Sequence, residues 1–219
     1  MSSLQKSFLL IIVSVCCFGL EANAQLPHFG ATVGLNFATV TGSDVSAAFP
    51  DKGARTGLVV GAFVTYDFIP FLGIQPEVLY SMKGTKGSAG SLYGLPGYSY
   101  TQTFNYIEIP VLLKLNLPLG PVTPLKASVY AGPDFAFNVA SNEEFTGQGV
   151  PGGSYTIDTK DLTRLFDFNL AVGAGAGFDV GPTTLGLELR YTFGTGQLTK
   201  AGEGDFKNGV FAIMASVGI

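Results

Sequence analysis

Five charged side chains interrupt otherwise apolar, alternating segments: Glu77, Glu108, Lys114, Glu188 and Arg190. An ionised group enclosed by protein is costly unless an opposite charge and hydrogen bonds compensate it. Three acids and two bases enclosed together can pair into an internal network that plugs the space they share. The alternative is a selective path along them for a small solute or a proton.

Catalytic constellations are largely missing. His28 is the single histidine, and it stands just before the first predicted strand, at the end away from the long loops. A hydrolytic triad or dyad among loop-end strands needs an imidazole there, which His28 cannot supply. The run Gly173-Ala174-Gly175-Ala176-Gly177 has the composition of a nucleotide loop, but it lies within a predicted strand and no helix follows it. Small residues making room beside a neighbour explain it better. Glu143, Glu144, Asp158 and Asp161 could collect a divalent cation, yet their spacing matches no calcium loop. No catalytic residue, cofactor site or metal site is expected.

The elements that position the five charges are strands. Eight segments alternate with period two and are separated by turn-rich sequence: 29–39, 56–68, 71–83, 103–117, 125–139, 165–180, 183–194 and 207–219. Most reach the 9–11 or so residues that a tilted strand needs to cross a bilayer. Their connections alternate in length. Those over 40–55, 84–102, 140–164 and 195–206 are long, polar and glycine-rich, whereas Ile69-Pro70, 118–124 and Gly181-Pro182 are short. Short turns at one end and long loops at the other are the habit of outer-membrane barrels. An even strand count then puts both termini at the turn end, facing the periplasm.

Side-chain volume decides what such a barrel is immersed in. Over 166–180, Phe166, Phe168, Leu170, Val172, Ala174, Ala176, Phe178 and Val180 alternate with Asp167, Asn169, Ala171, Gly173, Gly175, Gly177 and Asp179. Ile107, Ile109, Val111, Leu113 and Leu115 likewise alternate with Tyr106, Glu108, Pro110, Leu112, Lys114 and Asn116. The bore of an eight-stranded barrel is just filled by side chains, and eight bulky faces would overfill it. The bulky faces therefore point out, into lipid, and closure pairs every backbone group, as hydrocarbon demands. Aromatics are expected in two girdles. Tyr80, Phe104, Phe135, Phe137, Phe166, Phe168, Tyr191 and Phe193 fall at the loop end, and Phe29, Tyr66, Phe68, Phe71 and Phe178 at the turn end. Pro76, Pro110 and Pro133 sit inside strands and predict local bulges, because a closed barrel has no edge to excuse a missing donor.

The N-terminus supplies an export signal. Lys6, the apolar run Phe8 to Leu20 and then Ala22-Asn23-Ala24 read as n-region, h-region and cleavage site, so residues 1–24 are expected to be removed. Both cysteines, Cys16 and Cys17, lie in this segment. Lipidation at one of them is the competing reading, and Val15 is bulkier than such sites take. A formal net charge of −4 argues against a nucleic-acid partner. Only 13% of residues are charged, where soluble domains average about a quarter. The expected fold class is all-β: a closed up-and-down antiparallel transmembrane barrel over residues 25–219, preceded by a signal peptide and sited in the outer membrane. Its expected partners are outer-membrane lipid and, through the long loops, envelope or secretion proteins or extracellular ligands.

Several blocks carry a family resemblance. They are Gly34-Leu35-Asn36, then Gln75 to Ser81 (QPEVLYS) with Lys83-Gly84, then Asn105 to Pro110 (NYIEIP). Ala131-Gly132-Pro133, Leu187 to Tyr191 (LELRY) and Lys207-Asn208 follow. In this order and spacing the chain resembles the PorT-like outer-membrane β-barrel proteins over nearly all of its expected mature length. The resemblance implies a small outer-membrane barrel. Most such relatives have no assigned activity; the namesake is associated with a secretion system, and no matched block here carries that role. It also implies a terminal aromatic residue read by the assembly machinery. This chain ends in Ile219, which lowers the expected efficiency of insertion.

Overall fold

The computed structural model describes residues 26–42, 53–88, 98–117, 125–147, 153–196 and 207–219. The expected signal peptide, with Cys16, Cys17 and the cleavage site, lies outside the described residues. So do the connection 118–124 and most of the loops expected over 40–55 and 195–206.

Alternating sequence becomes strand throughout. In chain order these are β1 (His28–Thr41), β2 (Gly53–Ile69), β3 (Leu72–Ser88), β4 (Tyr98–Leu117), β5 (Leu125–Gly147), β6 (Ser154–Asp158), β7 (Phe166–Val180), β8 (Thr183–Gly194) and β9 (Lys207–Gly218). Every pairing is antiparallel. Each strand pairs with the next, except that β6 pairs with β5 alone; β5 pairs also with β7, and β9 returns to β1 from Gly30↔Gly218 to Thr41↔Lys207. Eight strands thus close a barrel, and β6 lies outside the ring. Closure extends to the chain end, where Phe29 and Ile219 exchange backbone hydrogen bonds of 3.0 and 2.8 Å. Gly181, at φ +63°, makes the two-residue turn between β7 and β8.

The barrel is inside out relative to a soluble fold. Leu187 and Leu113, on the bulky faces, are 56% and 55% exposed, whereas Ala171 and Asn169 on the slim face of β7 are 1% and 0%. Outward aromatics pair near the loop end as Phe135–Phe168, Phe137–Phe166 and Tyr191–Phe193, with ring centroids 4.5–5.6 Å apart. Tyr66 and Phe68 pair at 5.3 Å near the turn end.

Three expectations need correction. Phe104 is not part of the outer girdle; it is buried in the lumen with Val40, Tyr106 and Ala136. It shares the parity of Tyr106 and Glu108, and in a strand parity overrides aromatic preference. The long connections also start later than their polarity suggests. β3 runs to Ser88, β4 starts at Tyr98, and β5 continues to Gly147 against β6. Above the rim both sheet faces meet water, so paired strands there can be polar on both sides and read as loop. Finally, no register shift occurs at Pro76, Pro110 or Pro133. The β2–β3, β3–β4 and β4–β5 ladders each skip two rungs beside one proline and resume in the same register. A lost donor is tolerated as a gap. The irregularities lie elsewhere, between Ala54 and Val59, between Asp67 and Ile69, and at Asn105/Tyr106.

Candidate functional site

Among the described residues, polar chemistry is concentrated and shielded in the lumen. All five charged residues singled out in the sequence face it. Glu77, Glu108, Glu188 and Arg190 are buried, and Lys114 is half-buried toward the turn end.

The turn half is organised around Arg190 of β8. Its guanidinium clamps Glu77 of β3 in a bidentate pair, Nη1 to Oε2 at 2.7 Å and Nη2 to Oε1 at 2.8 Å. It also reaches Glu188 Oε2 at 3.5 Å and packs over the ring of Tyr130 on β5, 5.1 Å from the centroid. The Tyr130 hydroxyl donates to Glu188 Oε2 at 3.0 Å. Below, Lys114 Nζ and Thr65 Oγ1 both donate to Gln75 Oε1, at 3.0 and 2.9 Å, and Gln75 Nε2 donates to Glu77 Oε1 at 2.8 Å. Fork-to-fork pairing satisfies both partners of a buried ion pair while fixing their orientation. Tyr130 fits because the residue opposite it on β7 is Gly173, where a Cβ would meet the ring. The Gly-Ala run is thus room for neighbouring side chains.

The loop half is organised around Lys83 of β3. Its ammonium pairs with Glu108 of β4 and lies 5.2 Å from the centroid of the Tyr106 ring. Asn169 Nδ2 donates to Asp134 Oδ2 at 3.0 Å, and Asn208 Nδ2 to Asp167 Oδ2 at 3.5 Å. Lys83, Asp134 and Asp167 were absent from the charges singled out in the sequence. Lys83 closed its predicted strand, while Asp134 and Asp167 share the inward parity of their neighbours. That parity, applied to every charge, would have found all three.

Side chains from all eight barrel strands meet at mid-height, and the void left among Asn36, Ser81, Lys83, Glu108, Asp134 and Arg190 is about 10 Å³. That is room for about one water. Toward the turn end the bore opens into a vestibule of about 710 Å³, with His28, Asp67, Lys114, Lys126 and Asp179 on its wall. His28 is exposed there. At the other end, Glu143 and Glu144 are adjacent on β5 and so point to opposite sides, Glu143 half-buried and Glu144 exposed. Asp158 Oδ1 accepts from the Lys160 backbone N–H at 2.9 Å.

A family described as outer membrane protein beta-barrel domain matches residues 23–200. No curated protein matches the sequence. Among solved structures, the fold is similar to that of Neisserial surface protein A, with 16% identity, 90% of this chain and 99% of that chain covered, and a TM-score of 0.48. OprG from Pseudomonas aeruginosa aligns at 12% identity over 89% of this chain and 95% of its own, with a TM-score of 0.46. The attachment invasion locus protein of Yersinia pestis aligns at 14% identity over 89% and 100%, with a TM-score of 0.42. These are likenesses of fold.

Proposed function

We propose, from the premise that the chain belongs to the outer-membrane β-barrel domain family, that it is a plugged, non-conducting and non-enzymatic barrel whose loop end is a contact surface. The observation that carries this reading is the packed mid-lumen, where the void among the side chains has room for about one water. A solute path would need a continuous bore, whereas buried, bidentate pairing favours a fixed plug. The absence of a catalytic role rests on His28, which stands at the vestibule end of β1.

The contact surface is the sheet that rises beyond the rim. There β3, β4, β5 and β6 pair in succession, and among the described residues β6 pairs with β5 alone. All five residues of β6 are exposed, Tyr155 and Ile157 among them. A free strand edge offers unpaired backbone groups to an extended segment of another protein. In our reading this end faces the exterior and the vestibule and both termini face the periplasm, after export directed by residues 1–24. The blocks at Gln75 to Ser81 and Asn105 to Pro110 support a PorT-like place within the family. The vestibule favours a second reading, an accessory of a transport or secretion assembly that docks a periplasmic component in the open turn end.

Planar-bilayer recording tests the plug. Purified protein is expected to show no steady single-channel current, and a reproducible open level overturns the reading. Orientation is tested by labelling intact cells with a large, impermeant maleimide. Tyr155→Cys is expected to react at once, and Asp179→Cys only after the outer membrane is permeabilised; the reverse order inverts the topology.

A further inference from the structure

The two halves of the lumen differ in charge balance. Seven charged residues are buried among those described: the acids Glu77, Glu108, Asp134, Asp167 and Glu188, and the bases Lys83 and Arg190. In the turn half, Arg190 holds Glu77 and Glu188, and half-buried Lys114 adds a base through Gln75. In the loop half, Lys83 is the single buried base beside Glu108, Asp134 and Asp167. Arg55, at the rim, does not relieve them through its Nη1, which donates at 3.4 Å to the backbone carbonyl of Lys83. Enclosed carboxylates in excess of their cations are costly unless something compensates them.

A second observation points the same way. Asp134 Oδ1, Asn169 Oδ1 and Asn208 Oδ1 have no hydrogen-bond partner, although their residues are 1%, 0% and 1% exposed. These oxygens belong to one connected patch. Asn169 touches Asp134, Asn208 touches Asp167, and Asp167 and Asn169 are neighbours on the inward face of β7. The Tyr106 hydroxyl lies 3.4 Å from Asn208 Nδ2. The patch therefore has spare acceptors and spare negative charge together.

We propose that the loop half of the lumen takes up positive charge from solution at Asp134 and Asp167, with the Asn169 and Asn208 amide oxygens as further ligands. Ligands that are all oxygen suit a hard inorganic cation, for which the alkali ions are the probe, rather than a soft transition metal. Protons on the two carboxyl groups are the other source of the same charge.

The test is thermal unfolding of the purified, folded barrel in detergent, followed by the loss of its unheated gel mobility. One arm replaces sodium or potassium by N-methylglucamine at constant ionic strength and pH; the other varies pH from about 5 to 9 at constant salt. The wild-type midpoint is expected to fall in one of these arms. Loss with the alkali ion assigns the site to the ion, and loss only as pH rises assigns it to protons. Asp134→Asn keeps the shape and one acceptor. It is expected to remove that dependence and to raise the midpoint in the medium that destabilises the wild type; Asp167→Asn serves as the second variant. A wild-type midpoint unchanged in both arms, with Asp134→Asn and Asp167→Asn each lowering it, overturns the proposal.

Discussion

Glu77→Ala is expected to destabilise the folded barrel by about 3–5 kcal/mol, the range found when one partner of a buried ion pair is removed. The damage comes from what remains. Arg190 is 5% exposed and makes both of its short contacts, 2.7 and 2.8 Å, to the Glu77 carboxylate. The other acid within its reach, Glu188, lies 3.5 Å away and already accepts from Tyr130. Without Glu77 the guanidinium is left in a closed bore with most of its donors unmet. Glu77→Gln keeps the volume and one acceptor and should recover only part of the loss. The triple variant Glu77→Leu, Glu188→Gln and Arg190→Met removes the whole ion cluster around Arg190, so it should lie closer to wild type than Glu77→Ala does. Urea unfolding in lipid vesicles measures all three. A cost under about 1 kcal/mol for Glu77→Ala would mean that water reaches Arg190, and the sealed lumen would have to be abandoned.

Which of these features the sequence reveals follows from what period-two alternation encodes. Parity assigns a face, and it put Glu77, Glu108, Lys114, Glu188 and Arg190 toward the lumen before any partner was known. Phe104 has the residue type of a girdle and the parity of the lumen, and parity wins. Lys83 was missed because the predicted strand stopped there, although β3 continues to Ser88. Pairing is a different kind of information. Glu77 and Arg190 stand 113 positions apart, and their meeting depends on the registers of all intervening strands, which parity does not determine. The prolines show the same limit. A missing donor is visible in the sequence, but whether the ladder bulges or skips rungs depends on whether the flanking pairs hold their register, as they do here. The sheet beyond the rim was hidden for a third reason. With no apolar face to bury, residues 141–147 and 154–158 read as loop until they are seen paired.

Leu189→Arg separates a lipid-immersed barrel from a soluble one. Leu189 lies midway along β8, 47% exposed, between outward Ala174 on β7 and Ile213 on β9. Were water outside, an arginine at this half-exposed site would change stability by at most about 0.5 kcal/mol, the usual range for surface substitutions. In a bilayer the same charge sits at the hydrocarbon midplane and costs about 2–4 kcal/mol, falling to about 0–1 near the interfaces. Leu185→Arg, on the same outward face near the turn end of the strand and 51% exposed, is the internal comparison and should cost less than Leu189→Arg. Unfolding in vesicles is expected to show that gradient. The gradient is a property of lipid depth, so neither lumen packing nor backbone propensity reproduces it. Equal, near-zero costs at both positions would remove the bilayer from the account of why these bulky faces are exposed.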